Sequence, residues 1–218
     1  MPTEESPVSS AVSSPVAQVC WVVPDIAASE SFLASVLGVD GWTSMGEVRF
    51  APEEATHRGR PADFTVLVSL AWAGDLQVEL IQPVAGESLY AEFLADHPAG
   101  GLHHVAFETD DLDASVAAAG LPVLSEGSMG GELMRFAYLD GSAHGVPFVE
   151  LLWLSEGMRE TCAAVRGGGA SGCDRSVSLA ARPRALPRVL PEGPLDSGAS
   201  STMVFHSPQD SHLPCQRV

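Results

Sequence analysis

The 218-residue chain has no lysine and no asparagine, and its 11 basic residues, all arginine, face 28 acidic ones. A net charge of −17 excludes the basic face that nucleic acid requires. It argues equally against docking on anionic lipid. Cysteine is scarce. The four present are scattered with no CxxC pair, too few for a disulfide framework or a thiolate zinc module. Cys20, inside an apolar run, reads as a small buried hydrophobe. No apolar run approaches the ~18 residues of a membrane-spanning helix. The start, MPTEESPVSSAVSSPVA, lacks the basic flank and apolar stretch of a secretory leader, so a cytoplasmic location is expected.

Against these absences stands a hydrophobic content of 45%, enough for a real core in one domain or two small ones. The charge is uneven. Residues 1–160 carry 24 acids and 5 arginines, whereas residues 161–218 carry 4 acids and 6 arginines. Beyond Arg159 the apolar periodicity fades into GGGASG, ARPRALPRVLPEGP and SGASS. Such composition buries too little apolar surface to offset its ordering entropy. The expectation is a disordered tail over 162–218, a shorter disordered stretch over 1–15 and one folded domain over 16–155.

The folded part repeats itself. QVCWVVPDI at 18–26 reads as a strand stopped by Pro24 and followed by a helix capped by Asp25. HVAFETDDL at 104–112 reads the same way, with Asp110 or Asp111 as the cap. Short Ala/Ser-rich helices follow: AASESFLASVLG and DASVAAAG. Each copy closes on a matching strand, LQVELI at 76–81 and PFVELL at 147–152, with Glu79 opposite Glu150. Further strands are expected over 47–50 and 64–73 in the first copy and over 121–125 and 133–139 in the second. Turns at 73–75 and 140–141 separate strands, and 88–96 reads as a linking helix. The modules are β-α-β-β-β units at about 17–83 and 102–154.

This doubled pattern, with GLHHVAFETDDLD at 101–113 and VELI and VELL at the strand ends, resembles the vicinal oxygen chelate superfamily. That group includes glyoxalase I, methylmalonyl-CoA epimerase, extradiol dioxygenases and bleomycin-resistance proteins. The resemblance spans about 17–154. It implies an α+β fold whose paired βαβββ modules form a curved eight-stranded metal-binding cup.

Strand alternation puts Gln18, Cys20 and Val22 on one face and Val19, Trp21 and Val23 on the other. It likewise separates His104, Ala106 and Glu108 from His103, Val105 and Phe107, so His103 reads as structural. Gln18, Glu79, His104 and Glu150 then point into the cup. Two carboxylates buried at repeat-equivalent positions need a common partner, and a divalent cation supplies one. One histidine with two carboxylates departs from the two-histidine, one-carboxylate triad of non-haem iron oxygenases. The resemblance gives Gln, Glu, His, Glu as the zinc set of eukaryotic-type glyoxalase I, while other members use nickel or cobalt. Zinc is slightly favoured among Zn, Co, Ni, Mn and Mg.

Such a site suits an enolate-type intermediate formed by proton transfer. Glu150 is the first candidate base, carried over from glyoxalase I by its place in VELL, and Glu79 its partner. The expected activity is that of an isomerase, epimerase or glyoxalase-like lyase on a small carbonyl compound or acyl thioester. The arginine with which glyoxalase I grips glutathione falls at Val22, so a glutathione adduct is disfavoured. In an epimerase-like reading, Arg58 and Arg60 would approach the phosphates of a CoA ester. The loop 51–63 forms a polar rim, with Glu53, Glu54 and His57 as additional acid–base candidates. Two alternatives stand: a ligand-sequestering protein of the antibiotic-resistance type, and a secondary-metabolism tailoring enzyme of the same fold. A homodimer is expected from the resemblance.

Overall fold

The computed structural model describes residues 12, 14–146 and 148–167. Most of the 1–15 segment, Pro147 and the expected tail from 168 onward lie outside the described residues. In chain order the elements are β1 (Val16–Val22), α1 (Ile26–Leu37), β2 (Thr43–Phe50), β3 (Ala55–His57), β4 (Arg60–Pro61), β5 (Phe64–Ala73), β6 (Leu76–Ala85) and α2 (Leu89–Asp96). The second half supplies β7 (Gly101–Glu108), α3 (Leu112–Ala119), β8 (Val123–Met129), β9 (Met134–Asp140), β10 (Phe148–Leu154) and α4 (Glu156–Gly167). Among the described residues no helix is long and apolar enough to cross a membrane.

The ten strands among the described residues join one curled sheet in the order β2-β5-β6-β1-β7-β10-β9-β8-β3-β4. Its first eight members mirror one another across the antiparallel β1–β7 seam. β1 runs parallel to β6, and β7 parallel to β10. The repeat extends to the helix ends. Asp25 accepts from the Ala28 amide and Asp111 from the Ala114 amide, each at 3.0 Å; such caps are worth about 1 kcal/mol apiece. Gly38 and Gly120 close the two helices in the left-handed region, at φ 67° and 61°, where a side chain would be strained.

The outer face of the sheet is covered by α1, over Val23, Leu80 and Ala71, and by α3, over Leu139 and Leu151. The inner face carries the largest apolar cluster, including Phe50, Phe64, Val66, Phe136 and Leu152. Helix α2 contributes Leu89 and Tyr90 to it, and α4 contributes Met158 with Cys162 packed alongside.

Three features depart from the sequence reading. The loop 51–63 contains the β3–β4 hairpin, which crosses from the first half to pair with β8 of the second. Helix α4 continues through 162–167, residues expected to belong to the tail. Its apolar spacing, Met158, Cys162 and Val165, persists past Arg159, and Arg166 pairs with Asp75 and lies over the Trp72 ring. Finally, the β1–β7 register shifts between Cys20, opposite His104, and Trp21, opposite Leu102. His103 is the extra residue of a β-bulge.

Candidate metal centre

The repeat puts the four sequence-selected side chains at matched positions around the seam. Gln18 lies beside Gln77 across the β1–β6 pair, and Glu79 beside Cys20. His104 lies beside Phe148 across the β7–β10 pair, and Glu150 beside Ala106. All four point inward, and Gln18, His104 and Glu150 are buried, with His104 fully so.

Three oxygens converge on one nitrogen. His104 Nε2 is 3.0 Å from Glu150 Oε2, 3.5 Å from Glu79 Oε2 and 3.4 Å from Gln18 Oε1. Donors bound to one ion at about 2.1 Å stand roughly 3.0–3.4 Å apart at octahedral or tetrahedral angles. The distances from His104 to each oxygen therefore suit a shared divalent cation, and so does the charge of the set. Gln18 Nε2 donates to Gln77 Oε1 at 2.8 Å, which turns the Gln18 oxygen toward His104.

Burial lowers the proton affinity of His104, but the carboxylates of Glu150 and Glu79 outweigh it and hold the imidazole up to about 9. Burial, reinforced by the neighbouring His104 charge, holds His103 down to about 2. The two rings meet Nδ1 to Nδ1 at 2.9 Å. Neutral His103 accepts there from His104 Nδ1–H, which reserves His104 Nε2 for the oxygen cluster.

The bulge thus corrects the alternation assigned to His103. Its side chain lies on the inner side, against Tyr90, Phe93, Tyr138 and Phe148. Cys20 also proves more than filling. Donor atoms of Cys20, Glu79 and His104 all lie within 4.8 Å of one another. Burial, then the nearby Glu79 charge, pushes its thiol well up, so it stands in the cluster as a neutral group.

Gln77, Tyr90 and Tyr138 were not singled out in the sequence. The two tyrosines, the sole pair in the chain, share an O–H···O contact of 2.9 Å and line the cavity above Glu79 and Glu150. The other sequence candidates lie apart from the cluster. His57 and Arg58 bind Glu92 of α2. Glu54 accepts from the Ala51 amide at 3.0 Å. Arg60 is exposed on the hairpin, and Glu53 is exposed beside it.

A doubled βαβββ sheet with inward carboxylates and an imidazole at its seam defines a glyoxalase-like protein. The chain belongs to the Glyoxalase/Bleomycin resistance protein/Dioxygenase superfamily, whose family model matches residues 17–138. It is 33% identical over 98 residues to the mitochondrial methylmalonyl-CoA epimerase of Bos taurus, covering 45% of this chain and 48% of that one. It is 30% identical over 112 residues to an ethylmalonyl-CoA/methylmalonyl-CoA epimerase of Cereibacter sphaeroides, covering 50% of this chain and 73% of the relative. The chain spans about half the length of the mammalian relatives it matches. Among solved structures, methylmalonyl-CoA epimerase from Mycobacterium tuberculosis is 18% identical with a TM-score of 0.47, covering 70% of this chain and 95% of that one.

Proposed function

We propose that the protein is a metal-dependent isomerase or epimerase that moves a proton at a carbon next to a carbonyl group. The observation that carries this reading is the convergence of Glu79, Glu150 and Gln18 oxygens on His104 Nε2 at 3.0–3.5 Å. The epimerase relatives support the class of reaction. Gln18, Glu79, His104 and Glu150 would hold a divalent ion, with zinc the first choice, which would supply Lewis-acid stabilisation of negative charge on a substrate oxygen.

The remaining work falls to the chain. Glu150 Oε accepts the α-proton, and Glu79, from the repeat-equivalent strand, faces the substrate from the other half. Return of that proton from Glu150 gives retention; delivery to the opposite face from Glu79, protonated beforehand, gives inversion and leaves Glu150 protonated and Glu79 ionised. Tyr138 and Tyr90 exclude water around the pair, and His103 holds the His104 ring. Helix α4 covers the inner face through Met158 and Cys162. All four donors come from one chain, so the homodimer we also propose need not complete the site; sedimentation at micromolar concentration tests it.

Metal analysis of protein purified without chelator, beside Glu79→Ala and His104→Ala, is the first test. Equal metal content in all three sinks the metal reading. Deuterium incorporation into candidate substrates, lost in Glu150→Gln, tests the base. A second reading, ligand sequestration without turnover, is favoured by the apolar walls around the cluster; binding without deuterium exchange in any substrate tried is its signature.

A further inference from the structure

Resting on that reading of the site, we infer that the chamber above the cluster takes an uncharged, apolar carbonyl compound and discriminates against substrates bearing a free carboxylate. The walls come from both halves of the sheet and from α4. All four methionines among the described residues, Met45, Met129, Met134 and Met158, line them. Methionine is unbranched and polarizable, and it conforms to apolar ligands of irregular shape. Val66, Leu70 and Phe136 complete the same surface.

Polar groups are confined to the cluster itself, Gln77 and the two tyrosines. The Tyr90–Tyr138 contact uses one hydroxyl hydrogen and leaves the other free to donate. A neutral donor in an apolar wall suits a carbonyl or hydroxyl oxygen.

Charge gives the second, independent argument. Glu79 and Glu150 would already balance the charge of one divalent cation. A further carboxylate would bring unmatched negative charge among apolar walls, which is costly. No arginine among the described residues lines the chamber to offset it. Arg49, Arg58, Arg135, Arg159 and Arg166 are each paired with carboxylates elsewhere, and the sequence has no lysine.

The cavity measures about 100 Å³, less than the ~150 Å³ that admits benzene, so a body of one ring requires the flexible side chains of Met45, Met129, Met134 and Met158 to move aside.

The test uses the full chain, zinc-loaded, in 0.5 M salt so that the protein's overall charge is screened. Isothermal titration compares 2-hydroxyacetophenone, an uncharged α-hydroxyketone, with mandelate, its carboxylate-bearing counterpart, and with methylmalonyl-CoA. The ketone should bind at least tenfold more tightly than either anion. Met134→Arg, which adds a cation to the wall, should bring the ratio near one, while Met134→Leu should leave it unchanged. Mandelate or methylmalonyl-CoA binding as tightly as the ketone to the unaltered protein would overturn the inference, and so would failure of the ketone to bind. These outcomes are separate from the proton-transfer reading. Tight ketone binding without deuterium exchange leaves the chamber assignment intact and removes the catalytic one; exchange confined to an anionic thioester does the reverse.

Discussion

In the first half of the cup, Gln18 stands beside Gln77; at the equivalent place in the second half, His104 stands beside Phe148. The backbone pairing is the same and the chemistry is not. The amide pair of the first half offers a neutral oxygen held by a hydrogen bond. The imidazole of the second half meets Tyr138 and the bulged His103, whose own ring packs on Phe148. Only the glutamates, Glu79 and Glu150, are alike in both. The repeat thus carries two equivalent carboxylates, and divergence around them puts the imidazole in the second half alone.

The largest expected effect separates the two glutamates. Glu150 Oε2 is nearer His104 Nε2 than Glu79 Oε2 is, at 3.0 Å against 3.5 Å. Glu150→Gln keeps an oxygen for the ion and cannot accept a proton. Deuterium exchange should fall about 10²–10⁴-fold, far more than zinc content measured on the same sample. Glu79→Gln should cost less in exchange. Equal losses would mean that the halves act as interchangeable bases and would erase the distinction.

Next comes the contrast between Gln18 and His104. In metal-free protein, removal of the imidazole leaves buried Glu150 and partly buried Glu79 without their cationic partner. His104→Ala should destabilise by about 3–5 kcal/mol. Gln18→Ala removes a neutral group and its hydrogen bonds to Gln77 and His104, with a loss of about 1–2 kcal/mol. Urea denaturation of chelator-treated protein measures both. Equal midpoints for the two variants would show that His104 is not charged in the metal-free fold.

The legibility of these features in the sequence differs for physical reasons. The repeat was readable because Pro24 and Asp25, the HVAFETDD string and the two VEL strands are local signals. The inward set was readable because alternation holds along β1, β6 and β10. It failed at His103, because a bulge depends on how two strands meet across the seam and leaves no local mark in LHHV. The β3–β4 hairpin reads as loop in the sequence because its strands have three and two residues and owe their existence to β8. Helix α4 could have been followed further through Met158, Cys162 and Val165, but the glycine run that follows obscured it. The tyrosine pair lies 48 residues apart, and no spacing rule joins such residues.

The third effect is a pH dependence whose titrating group, His104, lies in the second half. His104 is held up to about 9, above the ordinary histidine value of about 6.5. The stabilisation from its proton is complete below about pH 6.5 and is lost as pH climbs through 9. Metal-free protein should therefore melt at progressively lower temperature between pH 7 and 9.5. Zinc must displace that proton, so its affinity should rise over the same window, and the zinc-loaded protein should hold its melting temperature there. A metal-free melting temperature flat across the window would place the imidazole's titration elsewhere.

The smallest effect concerns the element that breaks the symmetry most visibly, the hairpin belonging to the first half alone. It is tied to α2 by Glu92, which accepts from Arg58 at 2.7 and 3.1 Å and meets His57 Nε2 at 2.9 Å. The Arg58 guanidinium, with His57 assisting against partial burial, holds the Glu92 carboxyl down to about 2. That tie persists above about pH 4.5 and weakens only as pH falls toward 2. The Glu92 side chain is 44% exposed, so water screens the pair, and Glu92→Gln should cost at most about 1 kcal/mol. Arg58 also sits at φ 50°, followed by Gly59 at φ 73°, a turn in which asparagine before glycine is the favoured chemistry. Arg58→Asn loses the ion pair and relieves the turn, and the two changes should nearly cancel. Urea midpoints within experimental error of the parent are therefore expected for Arg58→Asn, with a small loss for Glu92→Gln. If Arg58→Asn instead lost more stability than Glu92→Gln, the tie to α2 would outweigh the turn in holding the hairpin against β8.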